Sequence, residues 1–377
     1  MSSSPTRLKR PRSETEEEAV KQEPSRLPAP VAPVIPGVLA VGPDSEGDPR
    51  PPPLRRDAEF WYSDGSIILV AKDVEFRVYG GLLAEQSSVF RAMFAEENPV
   101  RLVPLKPGHR DQLTIPCPVI QLADAPEDLR RILRVIVSRK STGYFDARKP
   151  SFYETSAYIR LGFKYKIKEL YKESLQLLKS HYTSNLERWT KHDYWRPPHW
   201  HTDRYSISVV NLARLIGEPT ILPTALLACM YMDEDLVQGV ECEDGTREML
   251  SPKDLGRCFR AMKEISKAKA LSIRRTCAEV LSEACKVQAM CIVGLRLARL
   301  QHLDAIVSGF GSETGDPFQS MDAVGEVKLA MCAHCKVLVL ERDRKERQLL
   351  WSQLPQLLGI EVPGWGKPVS RPESQVS

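Results

Sequence analysis

Four of the nine cysteines are spaced so that they could bind one metal ion. Cys332 and Cys335 are separated by two residues, the spacing with which one turn of chain presents two thiolates to a single ion. Cys285 and Cys291, separated by five residues, could supply the second pair. Zn²⁺ binds thiolates well, and four of them leave no open position for catalysis. The spacing therefore indicates a structural zinc site, with ordinary buried thiols as the alternative.

The remaining cysteines show no comparable pairing, and their odd total does not indicate a disulfide framework. We expect them to act as small buried apolar residues. They are Cys117, Cys229, Cys242, Cys258 and Cys277. No histidine follows His334, so a finger with two cysteines and two histidines is excluded.

A second cluster of potential ligands is rich in histidine and aromatic residues. His192, His199 and His201, with Asp203 nearby, could bind a metal. The alternative is a linker whose tryptophan and tyrosine rings pack one domain against the other, stiffened by Pro197-Pro198. The second interpretation fits the composition better.

Motifs typical of enzymes are missing from the sequence. It contains no Gly-x-x-x-x-Gly-Lys phosphate loop, no His-Glu-x-x-His and no Gly-x-Ser-x-Gly. Gly309, Gly311 and Gly315 do not match dinucleotide-binding spacing and indicate a loop. We therefore expect a non-enzymatic protein with no small-molecule substrate.

The 377 residues suffice for about two domains, and 42% hydrophobic with 27% charged residues is typical of a globular chain. The net charge of +4 gives no reason to expect direct nucleic-acid binding. The longest apolar stretch, Ile221 to Met232, is too short to span a membrane. Prolines interrupt the apolar residues between Val31 and Val41, so a secretory signal is not expected. These features predict an intracellular protein of the nucleus or cytoplasm.

The first 57 residues are predicted to be a disordered arm. Twelve of the 29 prolines lie in the first 53 residues, which contain no aromatic residue, so little apolar surface can be buried there. A basic cluster in this arm resembles a nuclear import signal, with a solvated charge run as the alternative. The cluster comprises Arg7, Lys9, Arg10 and Arg12.

The pattern changes at Phe60, where secondary structure is predicted to begin. Alternating apolar residues on both sides of Lys72-Asp73 predict a β-hairpin. Apolar residues at helical spacing then predict one helix over 82–94. A strand is expected over 119–122, a helix over 127–137, and a helical segment over 152–181 with a break near Gly162.

These residues resemble the opening of a BTB/POZ domain, an α/β protein-interaction module. The resemblance covers about 59–182. The residues that carry it are the run Asp64–Val70, Phe76-Arg77-Val78, Leu82-Leu83-Ala84, Ser87, Phe90, Met93 and Phe94. The core implied by the resemblance is Asp64, Phe76, Leu83, Phe90, Met93 and Phe94. Tyr79-Gly80 departs from the His-led pair of many members, and Pro51, Pro52 and Pro53 leave no room for the extra helix that builds their homodimer.

The second half is similar to the C-terminal region of the large fungal group of BTB proteins, and similar Cys spacing in that group supports the zinc site. The similarity rests on Asp254–Cys258, the four cysteines Cys285, Cys291, Cys332 and Cys335, and the tail Trp351, Leu354-Pro355, Leu358-Gly359-Ile360, Pro363 and Trp365. The predicted fold class is α+β: a BTB/POZ-like module over 59–182, an aromatic linker over 183–204, a helical region over 205–365 and a disordered tail over 366–377. Within the helical region, the alternating charges of 341–347 are typical of a solvated helix face.

The resemblance implies a protein that associates with itself or with another BTB protein. Phe60, Trp61 and Tyr62 are predicted to form an exposed interaction surface. Two alternatives remain open: an adaptor that docks a substrate onto a cullin-based ubiquitin ligase, and a nuclear regulator tethered through its basic arm.

Overall fold

The computed structural model describes residues 53–104, 113–137, 150–190, 202–307, 316–322 and 331–366. Within them the fold is α+β, with a small mixed sheet followed by a mostly helical region, in agreement with the predicted class. The basic cluster of the arm, the three histidines of the linker and the tail from residue 367 lie outside the described residues. Predictions about them stay predictions.

A five-stranded sheet forms the first part of the fold, in the order β1-β3-β2-β5-β4. Its strands are β1 (Arg55–Trp61), β2 (Ile67–Ala71), β3 (Val74–Val78), β4 (Val100–Pro104) and β5 (Thr114–Leu122). The predicted hairpin at Lys72-Asp73 is present as the antiparallel pair β2-β3. Because β1 begins at Arg55 and pairs with Val74 of β3, the expected arm boundary at residue 57 is wrong.

Five helices surround this sheet: α1 (Gly80–Gln86), α2 (Ser88–Ala95), α3 (Pro126–Val137), α4 (Phe152–Lys164) and α5 (Lys168–His181). The predicted single helix over 82–94 is two helices, because Ser87 interrupts it. Its hydroxyl accepts the N–H of Phe90 at 3.0 Å and donates to the Tyr165 carbonyl at 2.5 Å. Side-chain capping of this kind starts a new helix.

The break between α4 and α5 lies at 165–167, three residues after the expected position. Gly162 has another role. A Cβ there would lie 3.2 Å from the Tyr171 backbone nitrogen, so the glycine allows the two helices to pack closely.

The predicted core of this part is largely present. Phe76, Leu83 and Phe90 are fully buried, while Met93 and Phe94 are half-buried and pack against the same cluster. Asp64 is not a core residue. It lies exposed in the turn before β2, where its carboxylate accepts a hydrogen bond from the Tyr79 hydroxyl at 2.8 Å.

The helical region contains α6 (Leu186–Trp189), α7 (Thr202–Ile216), α8 (Leu222–Cys229), α9 (Asp235–Gln238), α10 (Pro252–Thr276), α11 (Gln288–Val307) and α12 (Ala333–Leu357). A two-stranded sheet, β6 (Val240–Glu241) and β7 (Arg247–Glu248), precedes α10. Every residue of α8 is buried. This helix, apolar except for Thr224, belongs to the largest hydrophobic cluster among the described residues.

This largest cluster crosses the expected linker at 183. Phe152 and Leu178 of α4 and α5 share it with residues of α7, α8 and α12. Trp351 of α12 donates from its indole nitrogen to the Ser184 carbonyl at 2.7 Å and lies 6.0 Å from the Trp189 ring. Trp189, the aromatic residue of the linker that the structure describes, is therefore part of the core. Tyr194, Trp195 and Trp200 lie outside the described residues, so the packing interpretation of the whole linker stays a prediction.

Replacing Phe90 tests this core. Its ring is fully buried and stacks on Tyr165 with centroids 4.2 Å apart, so Phe90→Ala should lower the free energy of unfolding by about 3–5 kcal/mol. Phe163→Ala, at a half-exposed ring, is the matched control and should cost less than about 1 kcal/mol. Denaturant unfolding measures both. Equal losses in the two variants would show that α2 is not packed in this way.

Candidate metal centre

The four cysteines predicted as metal ligands meet at one point of the helical region. Cys285 lies in the turn before α11, and Cys291 lies in the first turn of that helix. Cys332 is the N-cap residue of α12, and Cys335 follows in its first turn. Their Sγ atoms all lie within 4.8 Å of one another. The fold thus joins two cysteine pairs that are forty residues apart in sequence.

Each of the four sulfur atoms is approached by a backbone N–H. Cys291 Sγ accepts from the Cys332 nitrogen at 3.3 Å. The N–H groups of Val287, Cys335 and Ser282 approach the sulfurs of Cys285, Cys332 and Cys335 respectively. A neutral thiol is a weak acceptor, whereas a thiolate is stabilised by donors of this kind. The backbone donors at Cys285, Cys332 and Cys335 favour the thiolate form, and burial outweighs them at Cys285 and Cys335.

The spacing of the sulfurs suits tetrahedral coordination. A Zn–S bond of about 2.3 Å places tetrahedral ligand sulfurs about 3.8 Å apart. Cys285 Sγ and Cys332 Sγ are 3.9 Å apart, and all four cysteines are free of disulfide bonds. Four sulfurs in this arrangement fit zinc or iron and do not suit Mg²⁺ or Ca²⁺, which take oxygen ligands.

Two cysteines of the cluster have pKa values shifted in opposite directions. The backbone N–H of Cys335 lowers the pKa of Cys332 to about 7, because it stabilises the thiolate at the N-terminus of α12. Burial raises the pKa of Cys285 to about 12, since it disfavours the charged form. A bound dication would compensate this desolvation and favour four thiolates together.

Little apolar surface supports the cluster. Two of the five residues that α11 buries, Gly294 and Ala298, are small. The hydrophobic cluster shared by α10, α11 and α12 contains only six buried residues among those described. Contacts around the sulfurs come from Leu281 and Met331, both half-buried. A crosslink between these segments would therefore add stability that the local core does not supply.

The other cysteines are placed mainly as expected. Cys117, Cys229, Cys258 and Cys277 are buried, and burial raises the pKa of Cys258 to about 12. Cys242 is half-buried beside β6, so the expectation of burial is wrong for this residue.

The aromatic residues Phe60, Trp61 and Tyr62 do not form the exposed surface that their types predicted. Phe60 is buried in the core of the sheet. Tyr62 is half-buried and stacks on Tyr79 with centroids 5.1 Å apart, and the guanidinium of Arg56 lies 4.6 Å above the half-buried Trp61 ring. Strand alternation turns Phe60 inward, and local neighbours cover much of the other two rings.

A buried charge cluster was missed by sequence reasoning. Asp343 is 2% exposed and accepts from Arg347 at 2.8 Å, so the predicted solvated face of 341–347 is wrong at these two positions. Lys269 of α10 is buried nearby, and its pKa is lowered by the loss of solvation. Lys269 continues the buried helical positions Ala261 and Ile265, a spacing that could have predicted its burial.

Comparison with protein-family models and with curated proteins gives no match to this chain. The resemblance to BTB/POZ proteins therefore stays a prediction. Among the described residues, no helix is both long and apolar enough to cross a membrane.

Because its pKa is low, Cys332 should be alkylated faster than a buried cysteine in chelator-treated protein. Thiolates are the reactive form, so alkylation of Cys332 by iodoacetamide should rise as pH increases through about 7. Cys258, fully buried and with a raised pKa, should stay unmodified under native conditions. Peptide mass spectrometry across a pH series measures both. If Cys332 reacts no faster than Cys258 at neutral pH, the described environment of its sulfur is incorrect.

Proposed function

We propose that this chain is a non-enzymatic protein whose helical region is held together by one structural zinc ion bound to Cys285, Cys291, Cys332 and Cys335. The observation that carries the proposal is the convergence of four sulfurs, each approached by a backbone N–H, within 4.8 Å. Four neutral thiols would gain little from four such donors. Zinc would crosslink α11 to α12 and fix the turn at 282–287 between them and α10.

Elemental analysis of full-length protein purified without chelator tests the site. We expect about one equivalent of zinc per chain, because ligation in such sites is coupled to folding. Replacing both Cys332 and Cys335 with serine should remove the metal. It should also speed hydrogen exchange in 277–307 and 333–340, while the amides of β2 and β3 keep their protection, since the sheet has its own core.

Cys242→Ser is the control, because Cys242 is half-buried and not part of the cluster. This variant should keep its zinc. Less than about half an equivalent in the unmodified protein, with full helicity, would identify the four residues as ordinary buried thiols. A coloured protein containing iron would keep the site and exclude zinc as its natural metal.

A second proposal concerns the α/β part, which resembles a BTB/POZ module and which we propose mediates self-association. The supporting observation is at strand β4, an edge of the sheet. Val100 and Leu102 are 61% and 66% exposed, on the same face of that strand. Exposed apolar residues on an edge strand are unusual unless another chain covers them.

Sedimentation of the full-length chain tests this association. We expect a dimer at tens of micromolar, in the range where modest interfaces assemble, and a monomer for Leu102→Lys, because a buried charge at the edge is costly. Leu215→Lys, at a similarly exposed leucine of α7, is the control and should stay dimeric. A monomeric unmodified chain would contradict the proposal.

The two further functional alternatives, a ligase adaptor and a nuclear regulator, are tested by different experiments. A ligase adaptor would co-purify with a cullin, and this binding should survive Leu102→Lys if a separate surface is used. A nuclear regulator would depend on the basic arm, so a reporter fused to residues 1–20 should accumulate in the nucleus.

A further inference from the structure

The outer face of α10 carries a row of basic side chains that form no ion pair with the acidic residues that the structure describes. This helix has eight basic and two acidic residues, a net charge of +6 in a chain whose total is +4. Six of the eight are exposed, and five of these six lie within about 80° of the helix circumference at 100° per residue. We call them the basic stripe: Lys253, Arg260, Lys263, Lys267 and Arg274.

None of the stripe residues forms an ion pair with any described residue. The other arginines of α10 provide the contrast. Arg257 pairs with Asp254 at 2.8 Å, and Arg275 pairs with Glu346 at 2.6 Å. The acidic residue that borders the stripe on the same helix, Glu264, is half-buried. An ordinary solvated helix face alternates in sign, so an unpaired row of one sign is a distinct feature.

The stripe is long. It extends over 22 residues of one α-helix, about 32 Å from Lys253 to Arg274. The opposite face of α10, which includes Cys258, Ala261 and Ile265, is buried in the core. The helix is therefore rigidly mounted, and its row of cations points to solvent. A partner with regularly spaced negative charges would match this geometry.

We propose that the basic stripe binds the phosphate backbone of double-stranded DNA without reading its sequence. Three of the five residues are lysines, which are depleted from protein–protein interfaces but contact phosphates readily. Membrane-surface helices insert a broad apolar face, whereas the apolar face of α10 is buried in the protein. Single-strand binding needs aromatic rings between the cations, and the exposed Phe259 lies about 80° from the centre of the stripe.

Binding of full-length, metal-loaded protein to a fluorescent random-sequence DNA duplex of about 20 base pairs tests the proposal. Five phosphate contacts predict a slope of about −4.5 in log affinity against log salt concentration, or roughly a 500-fold loss between about 50 and 200 mM salt. Replacing Lys253, Lys263 and Lys267 together with glutamine should reduce the slope to about −2 and weaken binding at least about tenfold at the lower salt.

Two matched variants separate the stripe from charge in general. The triple replacement of exposed Lys166, Lys168 and Lys172 by glutamine changes net charge equally and should leave DNA binding unchanged. Replacement of the three stripe lysines by arginine should keep it. Circular dichroism confirms that each variant is folded, and the basic arm is present in all of them.

Three results would overturn the proposal. They are no binding at about 50 mM salt, an unchanged affinity and slope in the glutamine variant of the stripe, and tighter binding of an RNA duplex or of phosphatidylserine vesicles than of DNA. The second result would place the phosphate contacts in the basic arm instead.

Discussion

The approach of four sulfur atoms to within 4.8 Å of one another is the interaction that joins the turn before α11 to the N-terminus of α12. The segment from Cys277 to Val287 has little regular structure, and two of the five residues that α11 buries, Gly294 and Ala298, are small. Apolar burial alone is weak here, because the cluster shared by α10, α11 and α12 is small. The proposed metal would add to that core a crosslink between segments that are far apart in sequence. The N-termini of α11 and α12 lie beside the four sulfurs that would bind this metal.

The other end of α12 is fixed by aromatic packing. Trp351 contacts Phe318 with centroids 5.0 Å apart and Trp365 at 5.3 Å, and its indole nitrogen donates to the Ser184 carbonyl. Because α12 is 25 residues long, it connects the sulfur cluster at one end with the core shared with α4 and α5 at the other. Loss of the cluster should therefore loosen the region around α11 more than the α/β part.

The periodicity of apolar residues in the sequence correctly predicted one hairpin and several core positions. The β2-β3 hairpin and the inward positions of Phe76, Leu83 and Phe90 follow from alternation and helical spacing. The split between α1 and α2 was missed, because Ser87 bonds to the distant Tyr165 carbonyl. Phe60 looked like a surface anchor by residue type, and only strand pairing shows which way it points. Asp343 and Arg347 have the i,i+4 spacing that ion pairs show on buried and on exposed helix faces alike. The sequence therefore could not show that this pair is buried.

The candidate site likewise depends partly on local sequence and partly on tertiary packing. The spacing of Cys332 and Cys335 indicated two of the four ligands. The approach of Cys285 and Cys291 to that pair depends on the packing of two helices, so from the sequence it could only be proposed. X-ray absorption at the zinc edge of the full-length protein tests whether four cysteines bind the metal. We expect four sulfur scatterers at about 2.3 Å and no nitrogen or oxygen ligand. Bound zinc with two or fewer sulfurs, completed by nitrogen or oxygen, would contradict this expectation.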